Sequence, residues 1–347
     1  MKKYLPYLII TSVIALMLPL MLCRKKILYD VYVAGEEMNF SGMNVATVWK
    51  NGQEYARLSD DNVMARAYSI FVYDDDVYVA GFEDNEDEVS RATLWKNATT
   101  IRLSEEDHDA AALSVFVSEG HVFVAGHENN SEGISVAKLW IDGEAHDLSD
   151  GLFPAQANSV FVWGDEVYVA GTEKNAKNKD VAVLWIDGVA YRLSDSIEGS
   201  GATSVFVEDG DTYVAGYEID EYGDGIATVW FNGEPVYLSN EGSDARADSI
   251  FVSDYDVYAV GMEVYEGDMV PTARLWTNGH SRTPGSGKRQ TFMYSVFVMG
   301  RDVFVAGREG SVATVWKNGK GKNLSHKNNV ASAYAVFVVL PEIEQEP

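Results

Sequence analysis

Residues 30–35 read DVYVAG, and the phrase returns six more times, starting at Asp76, His121, Glu166, Asp211, Asp256 and Asp302. The starts at 30, 76 and 121 set spacings of 46 and 45 residues, and that spacing is kept to the end. A fixed period of this size marks a solenoid, a propeller or an array. Three other phrases keep step with it. One is ATVWKNG, whose tryptophan recurs as Trp49, Trp95, Trp140, Trp185, Trp230, Trp276 and Trp316. Another is a short LS segment, as in YARLSD at 55–60, and the third is SVFV, which starts at Ser114 and Ser159 and ends as AVFV at Ala335.

Each phrase reads as a strand. SVFV and VYVA are β-branched and aromatic runs bounded by Gly and Asp. KNG, IDG and FNG place Asn-Gly or Asp-Gly after the Trp strand, the pair a two-residue type I′ turn favours because both central residues need positive φ. Four short antiparallel strands per period, seven times over, predict an all-β chain folded as a seven-bladed β-propeller. The first repeat lacks its own SVFV strand, and a surplus AVFVV stands at 335–339 after the seventh. The C-terminal strand is therefore expected to complete the first blade beside residues 30–35, which removes an exposed sheet edge. The organisation expected is a leader or anchor over 1–26, the propeller over 27–340 and an acidic tail over 341–347.

The pattern SVFV…DVYVAG-x-E…LWKNG…LSDG resembles a repeat of uncharacterised bacterial envelope β-propeller proteins, over nearly the whole chain after the first 26 residues. The resemblance implies the fold and an envelope setting, and no activity. Other propeller signatures, such as a GH…WD pairing or an S-x-D-x-G-x-T-W box, are missing from the sequence.

With 347 residues, 46% of them hydrophobic, the chain can bury a large core, and a single closed propeller accounts for its length. The net charge of −26 argues against nucleic acid, which needs clustered Lys and Arg. Its plain meaning is solubility, and a monomer is expected.

Residues 4–22 form an apolar run behind Lys2 and Lys3. As a helix they would span about 28 Å, close to the ~30 Å bilayer core. The same run has the shape of a secretory leader. Cys23, the only cysteine, ends it where a lipoprotein leader places the lipidated cysteine; Leu20 suits that reading and Leu22 does not. A lipid anchor on Cys23, an uncleaved helix and simple secretion all stay open. All three put the propeller at or beyond a membrane, and the leader-like start favours the extracytoplasmic side.

Positions alike in every blade serve the fold; those that differ on one face are free to serve a ligand. The seven Trp residues thus read as inter-blade packing. The Glu two residues after each glycine (Glu37, Glu83, Glu128, Glu173, Glu218, Glu263, Glu309) also reads as structural, since catalysis needs carboxylates in unlike environments. No metal site is expected from the histidine spacing, and no cofactor. The acidic loops 83–88 and 220–225 offer Ca²⁺ oxygen ligands but lack the EF-hand spacing.

The long, variable connections follow VAG-x-E and LS and share one face; the tight turns share the other. SVFV is expected innermost, so the residue before it stands near the mouth of the long-loop face. In blade order that residue is Tyr68, Leu113, Asn158, Thr203, Asp248, Tyr294 and Tyr334; two positions earlier stand Arg66, Arg246 and Phe292, among others. Tyr294, Tyr334 and Tyr68 belong to consecutive blades of the closed ring. Pro284 interrupts an outer strand and is expected to bring Arg282, Lys288 and Arg289 beside Phe292 and Tyr294.

The candidate ligand-binding residues are therefore Arg66, Tyr68, Asn158, Arg246, Asp248, Lys288, Arg289, Phe292, Tyr294 and Tyr334. They point to a membrane-tethered, non-catalytic binding or scaffolding propeller engaging a protein, peptide or glycan, anionic or amphipathic in character. The alternative is an extracytoplasmic hydrolase or lyase acting on polysaccharide, with acids drawn from Asp248, Glu37 or loop carboxylates.

Overall fold

The computed structural model describes residues 29–105, 107–240, 242–265, 267, 270–285, 289–325 and 329–340. The apolar segment 4–22, Cys23, Lys288 and the tail 341–347 lie outside the described residues. Among the described residues, no helix is long and apolar enough to cross a membrane.

The chain forms seven four-stranded antiparallel sheets. Six follow chain order, for example Ala65–Tyr73, Asp76–Asp84, Ser90–Lys96 and Thr99–Arg102 from inside to outside. The seventh, here blade 1, takes its inner strand from the far end of the chain: Ala331–Val339 pairs with Asp30–Met38, from Asp30↔Val339 through Val33↔Val336 to Glu37↔Ala331. The fold is a seven-bladed propeller, closed by its last strand.

The turn chemistry follows the sequence. Asn51 and Gly52 sit at φ 55° and 77°, and Asp74 and Asp75 at 47° and 66°, where Asn, Asp and Gly carry the least steric penalty. The repeated asparagine has a second role. Asn51 Nδ2 donates to Asp30 Oδ1 at 2.8 Å, while its Oδ1 accepts from the Val31 N–H at 3.0 Å. The Asn97–Asp76, Asn232–Asp211, Asn278–Asp256 and Asn318–Asp302 pairs repeat this tie between the two hairpins of a blade. In blade 3 the pair becomes His121 and Asp142, at 2.7 Å. The first letter of DVYVAG is thus set by the KNG turn beside it.

The core is divided into seven clusters, each lying between neighbouring blades and each holding one tryptophan. Trp95 of blade 2, for instance, packs with Ala34, Ala46 and Val48 of blade 1. All seven indoles are fully buried, so they are the inter-blade cement that the repeat implied. Nearer the axis, one phenylalanine per blade forms a collar. Phe71, Phe116, Phe161, Phe206, Phe251, Phe297 and Phe337 follow one another with ring centroids 4.6 to 5.0 Å apart. Beside it, each SVFV serine accepts the backbone N–H of the next inner strand, as Ser69 Oγ does from Val115 at 3.1 Å.

Candidate functional site

Every inner strand carries a β-bulge at one equivalent place. In blade 2 the pairing runs Ala67↔Gly81 and then Ser69↔Ala80, which leaves Tyr68 outside the ladder. The residues skipped in this way are Tyr68, Leu113, Asn158, Thr203, Asp248, Tyr294 and Tyr334. A bulge re-aims one side chain out of the normal alternation. Here it turns seven of them toward their counterparts in neighbouring blades, at the long-loop end of the inner strands.

The bulge also accounts for the glycine of VYVAG. A β-carbon on Gly81 would collide with the backbone carbonyl of Arg66, one on Gly35 with that of Ser332, and one on Gly307 with that of Phe292. The close approach that requires glycine here is between two strands of one sheet.

Two further residues per blade stand at this mouth, directly opposite each other across the ladder. They are the residue two before the bulge and the residue after the glycine: Arg66↔Phe82, Ala111↔His127, Gln156↔Thr172, Gly201↔Tyr217, Arg246↔Met262, Phe292↔Arg308 and Ser332↔Glu36. The second member of each pair was overlooked in the sequence. Its signal was there: the x of VAG-x-E reads Glu, Phe, His, Thr, Tyr, Met and Arg from blade to blade.

The lining is strongly asymmetric. Across blades 7, 1 and 2 the rings of Tyr294, Tyr334 and Tyr68 are in contact, with centroids 5.2 and 5.5 Å apart. Phe82 adjoins Tyr68 at 6.0 Å, and Phe292 stacks parallel to Tyr294 at 6.3 Å. Into this aromatic wall project an ion pair, Arg66 Nε to Glu36 Oε2 at 2.6 Å, and a hydrogen bond from the Tyr334 hydroxyl to Glu36 Oε1 at 2.8 Å. Burial pushes the Tyr334 phenol up, and the Glu36 charge adds to the effect. Burial also raises Tyr68 and Tyr294, against the opposing pull of Arg66 and Arg308 respectively.

Blade 6 holds Asp248, whose carboxyl is pushed up to about 6 by burial, although Arg246 Nε lies 2.8 Å away and pulls it down. The other two polar bulge residues have internal partners. Asn158 Nδ2 donates to the Ala202 carbonyl at 2.7 Å, and Thr203 Oγ1 lies within hydrogen-bond distance of the carbonyls of Ala215 and Ala247. In blade 5, Gly201 leaves room for the Tyr217 ring, which a β-carbon there would strike. His127, half-buried in blade 3, is held toward its neutral form by desolvation.

Of the basic residues between blades 6 and 7, the two described ones, Arg282 and Arg289, do not gather as the sequence suggested. Arg282 is exposed on the outermost strand His280–Arg282, outside the mouth. Arg289 is exposed before the inner strand, its side chain near Gly310. The cation beside Phe292 is Arg308, with its guanidinium carbon 4.4 Å from the ring centroid.

The repeated glutamates tie the blades' outer parts together. Glu83 pairs with Arg102 at 3.0 Å, Glu263 with Arg274 at 2.7 Å, Glu218 accepts from the Tyr237 hydroxyl, and Glu128 accepts the Glu105 N–H. The acidic loops are organised by their first turn residue: Asn85 Oδ1 accepts the N–H groups of Asp87 and Val89, and Asp220 Oδ1 those of Tyr222 and Asp224. An off-axis recess of about 1000 Å³ lies over the first of these loops, lined by Glu83, Asp84, Glu86 and Asp87 among others. On another exposed loop, Glu105, Asp107 and His108 bring potential ligand atoms within 4.8 Å of one another, a grouping that residue spacing did not reveal.

No family model matches the chain, and no curated protein does. Solved structures match it as a fold. The puromycin-hydrolyzing peptidase of Mycobacterium tuberculosis superposes with a TM-score of 0.55 at 12% identity, over 86% of this chain and 52% of its own. The acylaminoacyl peptidase of Pyrococcus horikoshii gives 0.52 at 12% identity, over 86% and 51%. The chain spans about half the length of each, and at such identities the likeness establishes architecture alone.

Proposed function

We propose that this protein is a non-catalytic binding or scaffolding propeller that holds a protein, peptide or glycan in its axial mouth. The observation that carries the reading is where the blades differ. Three positions in each blade converge on the mouth, and these vary while the Trp, Gly and Phe positions beneath them repeat. Aromatic and Arg side chains, which make up much of the lining, are the types that most often dominate binding energy. Rim charges make such binding weaker in salt.

The test is a screen of glycan and peptide arrays followed by variants. Tyr294→Ala/Tyr334→Ala, if folded, lowers affinity at least tenfold, about 1.4 kcal/mol. Tyr255→Ala, exposed at a tight turn on the opposite face, leaves it unchanged. Equal binding by both variants would refute the axial site.

A second reading, a hydrolase or lyase acting on polysaccharide, draws on one observation. The mouth holds two carboxylates in unlike environments, Asp248 raised by burial and Glu36 between Arg66 and Tyr334. Polysaccharide cleavage that is lost in Asp248→Asn while binding persists would favour it.

The envelope setting belongs to the same proposal. The chain enters the propeller at Asp30 and leaves it at Val339, which are paired on the tight-turn face. A tether through the N-terminal residues would therefore present the mouth away from the membrane. If Cys23 carries a lipid, Cys23→Ala releases the protein or leaves a precursor of altered mobility; with an uncleaved helix, the substitution changes neither. Protection from protease even after permeabilisation of the outer layer would place the domain in the cytoplasm and overturn the extracytoplasmic assignment.

A further inference from the structure

Among the described residues three arginines stand at the mouth, and two have a counter-ion. Arg66 Nε donates to Glu36 at 2.6 Å and Arg246 Nε to Asp248 at 2.8 Å. Arg308 is built differently. It is half-buried on the strand Asp302–Glu309, its guanidinium lies over the Phe292 ring, and its Nε is enclosed with no hydrogen-bond partner. Among the described residues no carboxylate pairs with it.

A half-buried cation with an unanswered N–H is costly, and such a group in a native fold calls for an explanation. Contact with Phe292 recovers part of the cost and holds the guanidinium plane in place. The Tyr294 hydroxyl engages part of the guanidinium, and what remains, Nε included, is a fork of donors, the shape that matches a carboxylate. The charge count points the same way. Among the described residues of the mouth, Arg66, Arg246 and Arg308 face Glu36 and Asp248, an excess of one positive charge in a chain whose net charge is −26. General attraction of anions by the whole molecule is therefore absent, and the excess is local and single.

We infer that Arg308 anchors a carboxylate of the ligand, with the ligand body lying against Tyr294 and Tyr334. The inference rests on the mouth being the binding site and adds the chemistry of the group bound there. One excess charge suits a monoanion; a phosphate dianion would leave a negative charge in a partly desolvated, aromatic-walled site.

The test uses matched acids and amides on the full-length protein by ligand-observed NMR at millimolar concentration. The pairs are glucuronate with glucuronamide and N-acetyltyrosine with N-acetyltyrosinamide. At least one acid binds at least tenfold better than its amide; Arg308→Gln abolishes the difference, and Arg308→Lys restores part of it through its point charge. The acid preferred, sugar or amino acid, identifies the source of the carboxylate. Equal binding of acid and amide, sensitive to Tyr294→Ala, would overturn the carboxylate anchor and leave the axial mouth standing. Tighter binding of inorganic phosphate than of either acid, or no binding of either acid, would also overturn it. The array result with Tyr294→Ala/Tyr334→Ala judges the mouth itself.

Discussion

Removing residues 331–347 leaves a chain that aggregates or melts far below the parent. The strand Ala331–Val339 is the inner strand of blade 1, and without it Asp30–Met38 is left with a row of unpaired backbone groups facing the axis. The loss also reaches the neighbours. Val336 and Val338 are buried against Phe304, Ala306 and Trp49, while Phe337 bridges Phe297 and Phe71 in the axial collar. Burial of such side chains contributes about 1.5–3 kcal/mol each. Three of them are comparable with the ~5–15 kcal/mol net stability of a typical domain. Thermal melts and size-exclusion chromatography check the outcome: the truncated chain aggregates or melts far below the parent. A soluble truncation that melts within a few degrees of the parent would show that the ring does not need its last strand. Phe337→Ala, which keeps the backbone, costs less, about 2–4 kcal/mol, by opening the collar at one point.

Asp248→Asn stabilises the protein at alkaline pH and leaves it unchanged in acid. The Asp248 carboxyl is raised from its ordinary 3.8 to about 6 because it is buried, so the folded chain prefers the protonated form. Below the unfolded value the group is neutral in both states and contributes no difference. As pH rises from there through about 6, ionisation is harder in the folded chain, and stability falls by about 3 kcal/mol in all. An amide has no such cost. Arg246 loses its partner in the variant, but it is about half exposed and water takes over the interaction. Melting curves of the parent and Asp248→Asn should converge below pH 3.8 and be fully separated above about pH 6, with the variant the more stable. Equal destabilisation of the variant at both ends would make Asp248 a structural strut. The expected separation would support the proposed axial site, since Asn158 and Thr203 are internally satisfied and Asp248 would stand at a cost to stability.

How much of this was legible beforehand differs between the fold and the site. Strand order, turn positions and the closing strand all stood in the chain, because alternation, Asn-Gly turns and repeat length are properties of short stretches. The role of Tyr68, Tyr294 and Tyr334 at the mouth was within reach too, once the blades were compared with one another. The residue after each glycine is less legible, because the Glu beside it repeats in every blade and marks the segment as structural. That Glu proved to bind outer strands and loops, as with Glu83 and Arg102. The basic loop between blades 6 and 7 misleads for a related reason: closeness in sequence to Phe292 does not place Arg282 near it, since an outer strand and the next inner strand lie at opposite ends of their blades.

The sequence by itself determined a seven-bladed ring, its closure and the face on which variation collects. Local strand and turn preferences, repeated at one period, leave few other ways to bury seven equivalent tryptophans. Only the tertiary structure decided which charges pair at the mouth. The bulge re-aims one side chain per blade, so its direction departs from simple alternation. Ring closure then joins groups as distant as Glu36 and Tyr334, which are 298 residues apart. Arg66 and Arg246 find carboxylates in this way and Arg308 does not, because counter-ion choice depends on distances of a few ångströms in a partly desolvated site, and no repeat length encodes those.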